Sequence, residues 1–179
     1  MQAITFLRHG EYKQSGELSD KGIAQAEKRA ASLKDLDTFD LIIISSALRT
    51  KQTAEIITKA LNINIPSVVL PELHSPGDDK NKQSVKKLLK DLGSAPLSEY
   101  IKHDKDKAWD QYAKGAYDAL LACISARKAE KVLVIGHGNI INSLGLIINP
   151  EAKDLQDIYF GYCEGFTIFE KDNNLRYHR

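Results

Sequence analysis

Short apolar runs alternate with helical periodicities along most of this chain. Ala3-Ile4-Thr5-Phe6-Leu7 predicts a first strand. Ser19 stands where an N-cap belongs, with Leu18 and Ile23 spaced to staple across it. Ile23, Ala26, Ala30 and Leu33 then recur at helical spacing, so an amphipathic helix is expected over 19–34. Leu41-Ile42-Ile43-Ile44 is a continuous β-branched run of the kind that fills a strand buried on both faces. A helix from about Ala47 to Leu61 follows, with Ser45 or Ser46 available to cap it. Val68-Val69-Leu70 and Val132-Leu133-Val134-Ile135 read as two further strands. The last is preceded by a long helix (Trp109, Ala113, Ala116, Leu120 and Ile124 on one face) and followed by a helix opening near Asn139. Phe166 to Phe169 reads as an added edge strand, paired with Leu175 to His178. Strand and helix in alternation predict an α/β fold, a three-layer α/β/α sandwich around a mostly parallel sheet.

One segment breaks the rhythm. From His74 to Asp110 the chain is densely charged and punctuated by Pro76 and Pro96. Two readings stay open: a solvated excursion with short helices, or a lid over a site. In either case the 179 residues are expected to form one domain, 1–179, with a lid or insertion at 74–110.

Composition narrows the class of partner. Hydrophobic residues make up 42% and charged residues 27%, and 25 Lys and Arg against 24 Asp and Glu leave a net charge of +1. That balance offers no driving force toward a nucleic-acid backbone or an anionic membrane, so neither is an expected partner. No apolar run reaches the ~20 residues of a bilayer span, and the N-terminus lacks a signal-peptide pattern. The two cysteines, Cys123 and Cys163, show neither C-x-x-C nor zinc-like spacing. A reduced, cytoplasmic setting is the expectation.

Candidate chemistry clusters after three of the strands. Arg8-His9-Gly10-Glu11 follows the first, Ser45 to Thr50 the second, and Gly136-His137-Gly138-Asn139 the fourth. If these strands are parallel, all three clusters meet at the carboxyl edge of one sheet, where open α/β folds bind ligands. Two arginines and two histidines would converge there, without a carboxylate cluster suited to a metal. Guanidinium forks match phosphate oxygens, and the amides after His137 open a helix whose positive end favours an anion. The implied site is a phosphate pocket, with no metal and no cofactor.

The same residues resemble the histidine phosphatase superfamily, also called phosphoglycerate mutase-like. The likeness covers Leu7 to Glu11, Leu18-Ser19-Asp20-Lys21-Gly22-Ile23-Ala24-Gln25-Ala26, Ser45 to Ala54, Leu70-Pro71-Glu72-Leu73 and Val134 to Gly138, in family order. It implies a phosphoglycerate mutase-like fold and a phosphohistidine intermediate on His9. It implies further that Arg8, Arg49 and His137 bind the phosphoryl oxygens, with Gly138 adding a backbone N–H, and that Glu72 is the proton donor and then the base. His74, two residues on, is at most an auxiliary.

Departures from the family bear on the reaction. Tyr12-Lys13-Gln14-Ser15 replaces the tryptophan and asparagine usual in the mutases, and the chain is short for a mutase. Hydrolysis is therefore expected over phosphoryl return, with mutase activity or a non-catalytic phosphate-binding module as alternatives. Two kinds of substrate remain open. Leu70-Pro71-Glu72-Leu73 with Pro76-Gly77-Asp78 looks like the small phosphohistidine phosphatases, which act on a protein. The long span between Glu72 and His137 looks like the broad-specificity phosphatases of small phosphorylated molecules. Trp109 and Tyr112 are expected in the core rather than against substrate.

Overall fold

The computed structural model describes residues 2–34, 39–77, 79–169 and 174–179. Strands β1 (Ala3–Arg8), β2 (Leu41–Ile44), β3 (Ser67–Val69), β4 (Lys131–Gly136), β5 (Gly165–Phe169) and β6 (Leu175–His178) form one sheet in the order β3-β2-β4-β1-β5-β6. The first four are mutually parallel, and β5 and β6 are antiparallel additions. β5 is thus not an edge strand: it pairs with β1, and β6 takes the edge.

Side-chain alternation assigns the layers. Leu7, Ile42, Ile44, Leu133 and Ile135 face α1 (Asp20–Leu33) and α2 (Leu48–Leu61), burying Ala30, Leu33, Ala54 and Ile57. Ile4, Phe6, Ile43, Val132 and Val134 face the opposite way. They meet α5 (Ala108–Arg127) and α6 (Gly138–Ile148) in a larger core. The result is the expected three-layer sandwich. Among the described residues no helix is long and apolar enough to cross a membrane.

Three local expectations need correction. Ser19 caps α1, its Oγ accepting from Gly22 N at 3.1 Å, but the staple does not form: Leu18 is buried while Ile23 is 39% exposed. Gly22 occupies the buried face instead, because a Cβ there would lie 2.0 Å from the Glu11 carbonyl oxygen. Neither Ser45 nor Ser46 caps α2. Its N-cap is Ala47, without a side-chain bond, and the Ser45 hydroxyl is engaged elsewhere.

The 74–110 segment forms two helices, α3 (Asp79–Leu92) and α4 (Leu97–His103), and Asp78 lies outside the described residues. It is not a solvated excursion. Val85, Leu97 and Tyr100 are fully buried in the larger core, with the Tyr100 ring tilted against that of Trp109, centroids 4.8 Å apart.

Candidate functional site

Because β1, β2 and β4 are parallel, the residues that follow them emerge at one edge of the sheet. The segment after β1 is held by three hydrogen bonds from two helices. Gly10 N donates to Thr53 Oγ1 of α2 (3.0 Å), Glu11 N to Gln25 Oε1 of α1 (3.0 Å), and Leu18 N to Gln52 Oε1 (2.8 Å). Backbone contact between Glu11 and Gly22 closes the clamp. His9, 3% exposed, is therefore set on a rigid turn.

Its protonation follows from its neighbours. Arg49 Nε donates to His9 Nε2 at 3.0 Å, so Nε2 carries the lone pair. Nδ1 lies 2.8 Å from the Gly10 carbonyl oxygen, which only accepts, so Nδ1 carries the proton. Burial chiefly, helped by Arg49 and Arg8 and opposed by the Gly10 bond, holds the ring's pKa down at about 3. His9 thus presents a neutral imidazole with Nε2 turned to the cations.

His137, the N-cap of α6, is fixed in the same way. Arg49 Nη2 donates to its Nδ1 (3.3 Å), so its Nε2–H donates to Ser45 Oγ (2.9 Å). Ser45 Oγ also accepts from Ala47 N (3.3 Å) and lies 3.1 Å from Thr50 Oγ1. Burial, then His9 and Arg49, push the His137 pKa well below its ordinary value. The His9 and His137 rings stand 5.0 Å apart, and Arg49 spans the gap between them.

Aromatic rings support both arginines. Arg8 donates to the Phe160 carbonyl (2.8 Å), and its guanidinium carbon lies 4.1 Å from the Tyr162 ring centroid and 4.8 Å from that of Tyr159. Arg49 lies 4.5 Å from the Tyr12 centroid. These contacts orient the forks without neutralising them. Tyr159, Phe160 and Tyr162 were not singled out from the sequence; an aromatic cluster in one loop, Tyr159-Phe160-Gly161-Tyr162, was the available signal.

The expected residues are only partly united. Arg8, His9, Arg49, His137 and Gly138 line a common cavity of about 250 Å³. Glu72 does not line it. It sits in the 3₁₀ turn Pro71–Leu73 after β3, with its Oε2 buried and without a hydrogen-bond partner among the described residues. His74 lines the cavity in its place, stacked on His137 at 5.0 Å with Nδ1 3.1 Å from Ser46 Oγ. Trp109 and Tyr112 are buried as expected, yet both also line the cavity. Three histidines neighbour one another, but among the described residues no set of three His, Cys, Asp or Glu is placed to hold a metal ion.

Residues 4–164 match the family model of the histidine phosphatase superfamily, branch 1. The chain belongs to the histidine phosphatase superfamily. Members of this superfamily are phosphatases and mutases. The chain is 28% identical over 152 residues to the mitochondrial serine/threonine-protein phosphatase Pgam5 of Drosophila ananassae. That match takes in 77% of this chain and 47% of the fly protein, so the chain spans about half the length of that relative. The phosphoglycerate mutase of Bacillus anthracis superposes with a TM-score of 0.66 at 17% identity, over 99% of this chain and 91% of the mutase. A mycobacterial glucosyl-3-phosphoglycerate phosphatase complexed with VO3 gives 0.63 at 17% identity, over 99% and 98%. At such identities the two structures establish the shared phosphoglycerate mutase-like fold.

Proposed function

We propose that this superfamily member is a phosphatase that hydrolyses phosphate monoesters through a phosphohistidine on His9. The observation that carries the reading is the tautomer of His9: Nδ1–H is tied to the Gly10 carbonyl, and the Nε2 lone pair faces Arg49 in a ring that stays neutral down to about pH 3. A neutral, oriented imidazole is a competent nucleophile.

In the first step the His9 Nε2 lone pair forms a bond to phosphorus as the ester P–O bond breaks. Arg8, Arg49 and the backbone N–H of Gly138 hold the phosphoryl oxygens, His137 joins them once its Nδ1 takes a proton beside the phosphate dianion while Nε2–H stays on Ser45, and the arginines offset charge that spreads over those oxygens in transfer. The opening turn of α6 points its amides the same way. Glu72 gives its proton to the leaving oxygen. In the second step Glu72, now a carboxylate, takes a proton from water as the water oxygen attacks phosphorus and the P–N bond breaks. The role requires the side chain, whose Oε2 is buried and makes no hydrogen bond among the described residues, to turn toward the wall now formed by His74. These groups suffice for both steps without a metal.

The test is turnover of a phosphate ester in the presence of EDTA by the wild type and by His9→Gln, an uncharged replacement of similar size. The reading expects EDTA-resistant release of phosphate by the wild type and at least a thousandfold loss in the variant. Comparable turnover by both overturns it. Label returned to a second hydroxyl of the substrate, rather than to solution, makes the enzyme a mutase. Tight phosphate binding with no turnover makes it a binding module.

A further inference from the structure

The cavity has two unlike ends. Its cations, Arg8 and Arg49, lie with the histidines at the strand edge, and the wall beyond them comes from the 74–110 insertion and the start of α5. Leu89 and Gly93 of the α3 end, Tyr100 of α4, and Trp109 and Tyr112 of α5 form that wall, with Ile140 of α6 beside them. No Lys, Asp or Glu is among the described residues that line the cavity.

Two polar tips of the wall are engaged in hydrogen bonds, while Asn139 beside them keeps a buried Oδ1 without a partner among the described residues. Trp109 Nε1 donates to Ser143 Oγ (3.0 Å) and Tyr100 Oη to the Gly93 carbonyl (2.6 Å), so both rings offer apolar surface. Burial pushes the pKa of the Tyr112 and Tyr100 phenols above its ordinary value, which keeps both neutral. Trp109 and Tyr112 meet edge to face at 5.5 Å, leaving a rigid aromatic corner. At about 250 Å³ the whole cavity falls below the roughly 300–1,000 Å³ of drug-sized pockets.

Resting on the phosphatase reading above, we propose that this end is the leaving-group subsite and selects monoesters of compact, uncharged, aromatic or apolar alcohols. A carboxylate or second phosphate on the leaving group would be desolvated here without a cation to pair with. A phosphohistidine protein would have to thread its side chain past α3 and α4 to reach His9. The insertion's residues at this wall thus set the specificity toward small molecules.

Non-hydrolysable competitors separate binding from leaving-group reactivity. Benzylphosphonate, 3-phosphonopropionate and methylphosphonate are compared as inhibitors of ester hydrolysis by the wild type and by Leu89→Lys. Leu89 is 43% exposed, so the substitution spares the core while adding a cation at the wall. Benzylphosphonate should bind about tenfold or more tightly than 3-phosphonopropionate in the wild type. Leu89→Lys should narrow or invert that ratio, each ligand being read relative to methylphosphonate in the same variant. If methylphosphonate competes normally but the carboxylated ligand binds as well as the benzyl one, the subsite proposal is overturned and the phosphatase reading stands. Faster turnover of a phosphohistidine protein than of any small ester overturns it equally. If no ester is hydrolysed and methylphosphonate does not bind, the phosphatase reading itself has failed.

Discussion

Removing the Ser45 hydroxyl tests how the site is oriented. Its Oγ is the acceptor for His137 Nε2–H at 2.9 Å, and that bond, with Arg49 on the other ring nitrogen, fixes which nitrogen faces the phosphoryl group. In Ser45→Ala the ring N–H loses its acceptor, while Ala47 N loses a weaker bond at 3.3 Å. A typical hydrogen bond contributes about 1 kcal/mol net, and an orphaned buried donor costs about 1–3 kcal/mol. If that energy orients His137 for transfer, kcat/KM falls roughly 5- to 150-fold. Tungstate, a phosphate mimic, should lose affinity by a similar factor, because Ser45 holds Nε2–H and so leaves Nδ1, protonated beside the dianion, to meet the bound oxyanion. Steady-state kinetics with tungstate inhibition reads both, and Ser45→Thr, which keeps a hydroxyl, should recover most of the loss. A Ser45→Ala enzyme with a lowered Tm but unchanged kcat/KM and tungstate affinity would refute the reasoning and leave Ser45 a structural residue.

Other expectations follow from the same geometry. His9 (about 3) and His178 (about 4, pushed down by burial and then by Arg29 and Arg176) both titrate below the ordinary value of 6.5. The unfolded chain therefore takes up their protons first, and stability present above pH 6.5 is lost as pH falls toward 4. Each costs at most about 2 kcal/mol between pH 7 and pH 5. Urea unfolding of His178→Gln should show a shallower decline over that interval than the wild type, and an identical decline contradicts the assignment. Gly22→Ala would place a Cβ 2.0 Å from the Glu11 carbonyl oxygen, so it should lower Tm by several degrees and reduce activity through the His9 turn. Wild-type Tm and activity in that variant would show that the clamp is soft. In Glu72→Gln, water activation should fail before phosphoryl transfer does, so phosphoenzyme should accumulate with a good aryl leaving group. Normal turnover by that variant removes Glu72 from the mechanism.

The strands and the convergence of their ends were legible because both-face burial writes itself as unbroken apolar runs. Leu41 to Ile44 is the clearest, all four residues being buried. Gly22 was misread in favour of Ile23 because periodicity registers apolar side chains and is blind to a backbone contact that admits none. Ser45 had the local signature of a helix cap, but its hydroxyl serves a histidine 92 residues away, which no local pattern carries. The insertion stayed open between a solvated excursion and a lid because its buried residues, Val85, Leu97 and Tyr100, are scattered among charged and polar neighbours. The cavity placement of His74 rather than Glu72 depends on the side chains' directions in a three-residue turn, and two positions along the sequence were not enough to decide it.

Phosphoryl transfer turns on one nitrogen, His9 Nε2. Mixing the enzyme with a ³²P-labelled aryl phosphate and quenching within one turnover should leave label on the protein, stable in base and lost in acid. Peptide mapping should place a single phosphoryl group on the peptide containing His9, with none on His74 or His137. Label on another residue, or rapid phosphate release with no labelled protein at any quench time, would contradict the account.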